Sequence, residues 1–264
     1  MRGLLKGTTA VGVLAAALAT SASATHSWGS YHWARTSNPI SVQTGDNVTS
    51  VWDAYLVEAI ADWNKSSVID SYKVAGSTNP RNCRGVSGTI QVCNSTYGNN
   101  GWLGLASISV SGNHITAGTT KLNDTYFNTA RYNTPAWRRL VMCQEIGHDY
   151  GLDHQDEAFD NANLGTCQDY TNDPDGPPSN EHPNAHDYEQ LEIIYGGHTD
   201  STTTVAFRTN GAGTFADIGD TPATWGKPVR FDRFGRPNMF VRIDGPNQKT
   251  ITHVTWAIGE GPRR

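Results

Sequence analysis

The sequence predicts an α+β protein: a twisted mixed sheet carrying a few long helices, followed by a small C-terminal β-rich extension. Three observations carry this. Residues 51–63 and 134–150 repeat their apolar side chains at helical spacing. Between them, residues 72–128 lose that period and break into short alternating runs separated by Gly, Asn and Ser. The alternation returns over residues 199–264.

Taken in order, the chain opens on "MRGLLKGTTAVGVLAAALATSASA". Arg2 and Lys6 precede an apolar run, and Ala22-Ser23-Ala24 supplies small residues at a cut site, the pattern of a secretory signal peptide. The run is about 11 residues, short of the ~20 a spanning helix needs. The expected division is therefore 1–24 leader, 25–198 main domain and 199–264 extension, with no membrane association once the leader is cut.

Residues 25–50 are polar, with a strand near Ile40–Val42. Trp52, Tyr55, Leu56, Ala59, Ile60 and Trp63 then form one apolar stripe, and Ser50 with Asp53 reads as a capping box for that helix. "YKVAG", "GTIQVCN", "LASISVSG" and "HITAGTTKLN" read as strands. Thr134 and Pro135 suit the N-cap and first position of a second helix, whose inward face takes Trp137, Leu140, Val141, Gln144 and His148. After the loop "NDPDGPPSNEHPN", a third helix spans Ala185–Tyr195 and stops at Gly196. "TTTVAFRT", "KPVRFDRF", "NMFVRIDG" and "ITHVTWAI" read as strands of the extension.

Net charge is −5, and loss of the two leader cations makes it −7. An acidic chain repels a phosphate backbone, so nucleic acid is excluded as a partner. Four cysteines in an exported chain predict two disulfides, and the local pairings Cys83–Cys93 and Cys143–Cys167 are favoured.

The chemistry concentrates in "CQEIGHDYGLDH", residues 143–154. Gln144 and His148 stand one helical turn apart on the same face. Gly151 permits a sharp left-handed turn that swings His154 back toward them. Three donors then converge from two directions, leaving a fourth position open, as a catalytic zinc site requires. Glu145 sits one residue round the helix, placed to take a proton from a water at such a site. A Gln facing a core costs about 1–3 kcal/mol if unpaired, so Gln144 needs a metal or a hydrogen-bond partner.

This stretch resembles the H-E-x-x-H-x-x-G-x-x-H signature of the metzincin clan of zinc endopeptidases. Glu145, His148, Gly151 and His154 match, and Gln144 stands at the first His. "TCQDY" is similar to the clan's methionine turn, with Thr166 and Tyr170 in place and Gln168 where Met belongs. "HDYEQLEIIYG" is similar to the closing helix of the matrixin branch. The resemblance covers residues 40–197 in element order. It implies a metzincin-like domain, a secreted endopeptidase acting on protein or peptide substrates, and Zn2+ held by His148, His154 and Gln144. It also implies Glu145 as general base and Tyr170 as a stabiliser of the tetrahedral intermediate. Because an amide is a poor zinc donor, Asp149, Asp153, His182 and His186 are candidate extra ligands. Matrixins bind structural Ca2+, for which "NDPDG" is a candidate loop or a plain turn. The alternative expectation is a catalytically inactive secreted binding protein of the same fold. His114 and His253 lack ligand spacing and read as ordinary polar residues. A surface-binding role would rest on Trp225, Phe231, Phe234 and Trp256.

Overall fold

The structure, a computed structural model, describes residues 25–203 and 215–262. The leader and most of the expected "TTTVAFRT" strand lie outside them. The element order is β1 (His32–Trp33), β2 (Ile40–Asn47), α1 (Asp53–Trp63), β3 (Ile69–Ala75), β4 (Thr89–Ser95), β5 (Trp102–Ser111) and β6 (His114–Asn123). It continues with α2 (Asp124–Phe127), α3 (Pro135–Asp149), α4 (Ala185–Tyr195), β7 (Lys227–Phe231), β8 (Pro237–Gly245) and β9 (Gln248–Trp256). The class is α+β with one mixed sheet, as the alternation predicts.

Strand order is β3-β2-β4-β6-β5-β9-β8-β7, with β1 alongside β6. The β3-β2-β4-β6 part is parallel. The β6-β5-β9-β8-β7 part is antiparallel. The C-terminal strands therefore continue the main sheet rather than standing apart. The outermost strand, β7, carries Lys227 and Pro228, both exposed, and its register is broken at Arg230.

The local capping chemistry places two helices where the sequence puts them. The Thr134 hydroxyl accepts from Trp137 N, and Pro135 occupies the first turn of α3. Asn184 and Asp187 form a reciprocal capping box at α4. The Ser50 cap is a correction: α1 begins after Trp52, with no side-chain cap. Tertiary burial decides that start. Trp52 is fully buried, donates to Asp124 Oδ1 at 2.9 Å and lies under Arg138, whose guanidinium carbon is 4.6 Å from the ring.

The main core lies between α1 and α3 and the sheet, and includes Trp33, Val42, Leu56, Trp63, Ile90, Val141 and Ile146. A second core packs Trp102, Leu105, Trp225, Phe240, Val254 and Trp256 together. Of the four aromatics expected to serve surface binding, Trp225 and Trp256 are each 1% exposed and interior, while Phe234 is 50% exposed. Cys83–Cys93 and Cys143–Cys167 are bonded, the pairings the sequence favours. The second ties α3 to the turn at residues 166–170 and stabilises by about 3 kcal/mol in the chain-entropy model.

Candidate metal centre

The motif helix ends where the sequence places its turn. Gly151 has φ +94°, and a Cβ there would meet Tyr31 O at 2.6 Å. Its N–H donates to His148 O, and Leu152 N reaches back to Gly147 O. The turn brings His154 over the helix: His148 Nε2 and His154 Nε2 are 3.0 Å apart. His148 is 0% and His154 8% exposed.

The ring hydrogens are assigned by the opposite nitrogens. His148 Nδ1 donates to Leu152 O at 2.9 Å, and His154 Nδ1 lies 3.3 Å from Glu157 Oε1. Both Nε2 atoms then present lone pairs to one another. Backbone-carbonyl and carboxylate partners on the far nitrogen are the usual outer shell of metal-bound histidines. Burial, then the neighbouring His154, holds His148 well below the ordinary imidazole range. Two neutral imidazoles facing each other in this way could hold a divalent cation such as zinc.

A third imidazole lies beside them. His253, on β9, is 0% exposed, with ring centroids 4.4 Å from His148 and 5.0 Å from His154. One nitrogen from each of the three falls within 4.8 Å of the others. Burial and then His148 push His253 well below its ordinary range too. Trp28 stacks on its ring at 4.3 Å. The sequence reads His253 as an ordinary polar residue; the structure buries it against the His148–His154 pair. The available signal was strand phase: Val254 and Trp256 join the second core, so His253 and Thr255 face the other way, toward α3.

Gln144 sits beside this cluster with its amide already committed. Nε2 donates to Cys167 O at 3.0 Å, and Oε1 accepts from Thr255 Oγ1 at 2.7 Å. Gln168, at the methionine position of the turn, donates to Gln144 O at 3.1 Å and lies so close to Gly147 that a Cβ there would be 2.2 Å from its Nε2.

Glu145 is fully buried against β5, where a Cβ on Gly104 would be 2.3 Å from Oε1. The Thr255 hydroxyl stands beside both Glu145 and Gln144 and donates to Gln144 Oε1; neither Glu145 oxygen has a hydrogen-bond partner of its own. Burial raises the Glu145 carboxyl well above its usual range; Thr255 opposes this and the Asp149 charge adds to it. Tyr170 is 3% exposed, its ring 4.3 Å from that of His154, and its hydroxyl donates to Val254 O at 3.4 Å.

The other candidate ligands divide. Asp153 joins a carboxylate rim: Arg230 binds it through both nitrogens and reaches Glu157 Oε1 at 3.1 Å. Asp149 turns to β6, accepting from Thr120 Oγ1 at 2.9 Å. His182 pairs with Asp62 at 2.7 Å, and His186 stacks on His26. His114 lies 3.2 Å from Asp200 Oδ1 in a second cluster with His32 and His198. Among the described residues, the "NDPDG" loop contributes to none of the three donor clusters.

The nearest open cleft, about 300 Å3, is lined by Phe159, Asn172, Phe234, Arg236, Ile258 and Gly259. Phe159 stacks on Tyr170 at 4.8 Å, so two aromatic rings separate this cleft from His154. No protein-family model matches the chain, and no curated protein matches it.

Proposed function

We propose that this chain is an exported, metal-dependent endopeptidase whose metal is held by His148 and His154. One observation carries the reading: the Nε2 atoms of two buried imidazoles stand 3.0 Å apart across a glycine turn. The resemblance of residues 143–170 to the metzincin signature supports it, as do the leader pattern and the two disulfides. Among the described residues, no helix is long and apolar enough to cross a membrane.

Bound there, zinc would supply Lewis acidity to a water and a peptide carbonyl. The protein's own residues do the rest. Glu145 lies three residues before His148 on α3, and both face the side of β9 that bears His253 and Thr255. Its burial makes the carboxylate a stronger base than in water, fit to take a proton from the attacking water and return it to the leaving amine. Leu152 O and Glu157 fix the two imidazoles by holding their far hydrogens. Tyr170 covers His154, and its hydroxyl, which donates to Val254 O at 3.4 Å, is the group that would face a developing oxyanion. For a peptide to arrive, Phe159 and Tyr170 must swing from the cleft or β9 must part from β5.

The test is zinc reconstitution followed by assay on quenched fluorescent peptides. Chelator-sensitive cleavage that disappears in Glu145→Gln supports the proposal; cleavage that persists in that variant rejects the mechanism. A second reading, a non-catalytic binding protein of the same fold, draws on the complete burial of Glu145, His148 and His253. It predicts a chain that takes up metal and cleaves nothing.

A further inference from the structure

We infer that His253 is the third protein ligand of this site, so that the metal joins α3 to the C-terminal hairpin and metal binding and docking of β8–β9 are one equilibrium. The inference rests on the metal-site reading above and adds the ligand, and the coupling, which that reading leaves open.

Three observations lead to it. First, the position the motif gives to a third ligand is spoken for. Both ends of the Gln144 amide are bound within the protein, to Cys167 O and Thr255. Turning its oxygen to a cation would break the contact with the Thr255 hydroxyl. Second, His253 is the remaining buried imidazole at the pair, and its Nδ1 has no hydrogen-bond partner. Its Nε2 lies 3.5 Å from Asp153 Oδ1 and 3.2 Å from Arg230 Nη2. Arg230 can only donate and holds Nε2 as an acceptor; when Arg230 gives its hydrogens to Asp153 and Glu157 alone, Asp153 Oδ1 is placed to accept an Nε2 hydrogen, the tautomer that frees Nδ1 for a metal. His148, His154 and His253 would then each have an oxygen on the far nitrogen: Leu152 O, Glu157 and Asp153. Third, the pairing register of β9 places the ring. It lies between β5 and β8, with Ala106 and Met239 as the neighbours of His253. Trp28 covers the ring.

Among the described residues, Arg230 is the cation paired at this rim, and its charge is met by Asp153 and Glu157. Those two carboxylates against one guanidinium leave a net negative rim, which favours a divalent ion among neutral imidazoles.

A donor on β9 has a consequence for the hairpin. The metal would bind the docked chain and not the undocked one, so docking and binding reinforce each other. Removing the metal loosens β9 first, because three buried lone pairs then face one another.

The experiment uses the purified chain with Co2+ and Zn2+ as probes. Metal affinity is measured by chelator competition for wild type, His253→Gln and Gln144→Ala. Loss of a direct ligand should weaken binding by more than the ~10–100-fold typical of an outer-shell partner, whereas Gln144→Ala should stay within about threefold. Long-range 1H–15N spectra of the wild type need no variant. Zinc should shift three histidine side chains, His148, His154 and His253, and hydrogen exchange over residues 248–256 should slow when zinc is added. If wild type binds zinc but His253→Gln binds it equally, or only two histidines shift, the third-ligand inference is wrong while the metal-site reading stands. If wild type binds no metal, both fall.

Discussion

His148 Nε2 and His154 Nε2 face each other at 3.0 Å, each ring with its hydrogen directed away from the other. A cation between them relieves the repulsion of two lone pairs in a dry chamber. Zinc at a hundredfold excess over its Kd should therefore add about 2.7 kcal/mol of stability, and EDTA should lower the melting temperature by several degrees. Differential scanning calorimetry with and without metal checks this; an unchanged melting temperature contradicts it.

Glu145 has two buried oxygens without a committed donor. Glu145→Gln keeps the shape and removes the need to bury a charge. Peptide cleavage should fall by about 10²–10⁴-fold, the range of general acid–base contributions, while zinc content stays the same and the melting temperature stays level or rises. Kinetics and metal analysis on one preparation measure both.

Gly151 is required by backbone geometry and by space together, with φ +94° and Tyr31 O 2.6 Å from a would-be Cβ. Gly151→Ala should cost about 1–3 kcal/mol and lower zinc affinity as well, because His154 rides on this turn. Urea unfolding and chelator competition report the two effects.

Asp169 titrates differently from a surface carboxylate. Burial raises it from its ordinary range to about 6, against hydrogen bonds from Leu164 N and Asn180. The folded state therefore holds this proton more tightly than the unfolded chain does. Its contribution to stability is full at about pH 4 and is lost as pH rises to about 6. Asp169→Asn should flatten that part of the stability–pH curve and leave the variant more stable than wild type at pH 7. Thermal melts at pH 4.5 and 7 decide it.

Much of this was legible because it is local. The Thr134–Pro135 start of α3, the Ala185–Tyr195 span of α4, the Gly151 turn and both disulfides involve residues near in sequence. So does the approach of His148 and His154. What escaped depends on pairing between distant strands. Thr255 and Gln144 are 111 residues apart and meet only because β9 docks on β5. The strand phase of His253 was readable; its partner strand was not. The start of α1 was misplaced for a related reason: Asp124 and Arg138, far along the chain, fix Trp52 more firmly than Ser50 could cap.

The sheet finishes on β7, whose Lys227 and Pro228 stand exposed and whose register is interrupted at Arg230. Proline offers no amide hydrogen to an incoming ladder, and an outward lysine is costly to desolvate. That margin is a poor template for a neighbour's strand, so copies of this chain have little means of growing edge to edge into fibres along it.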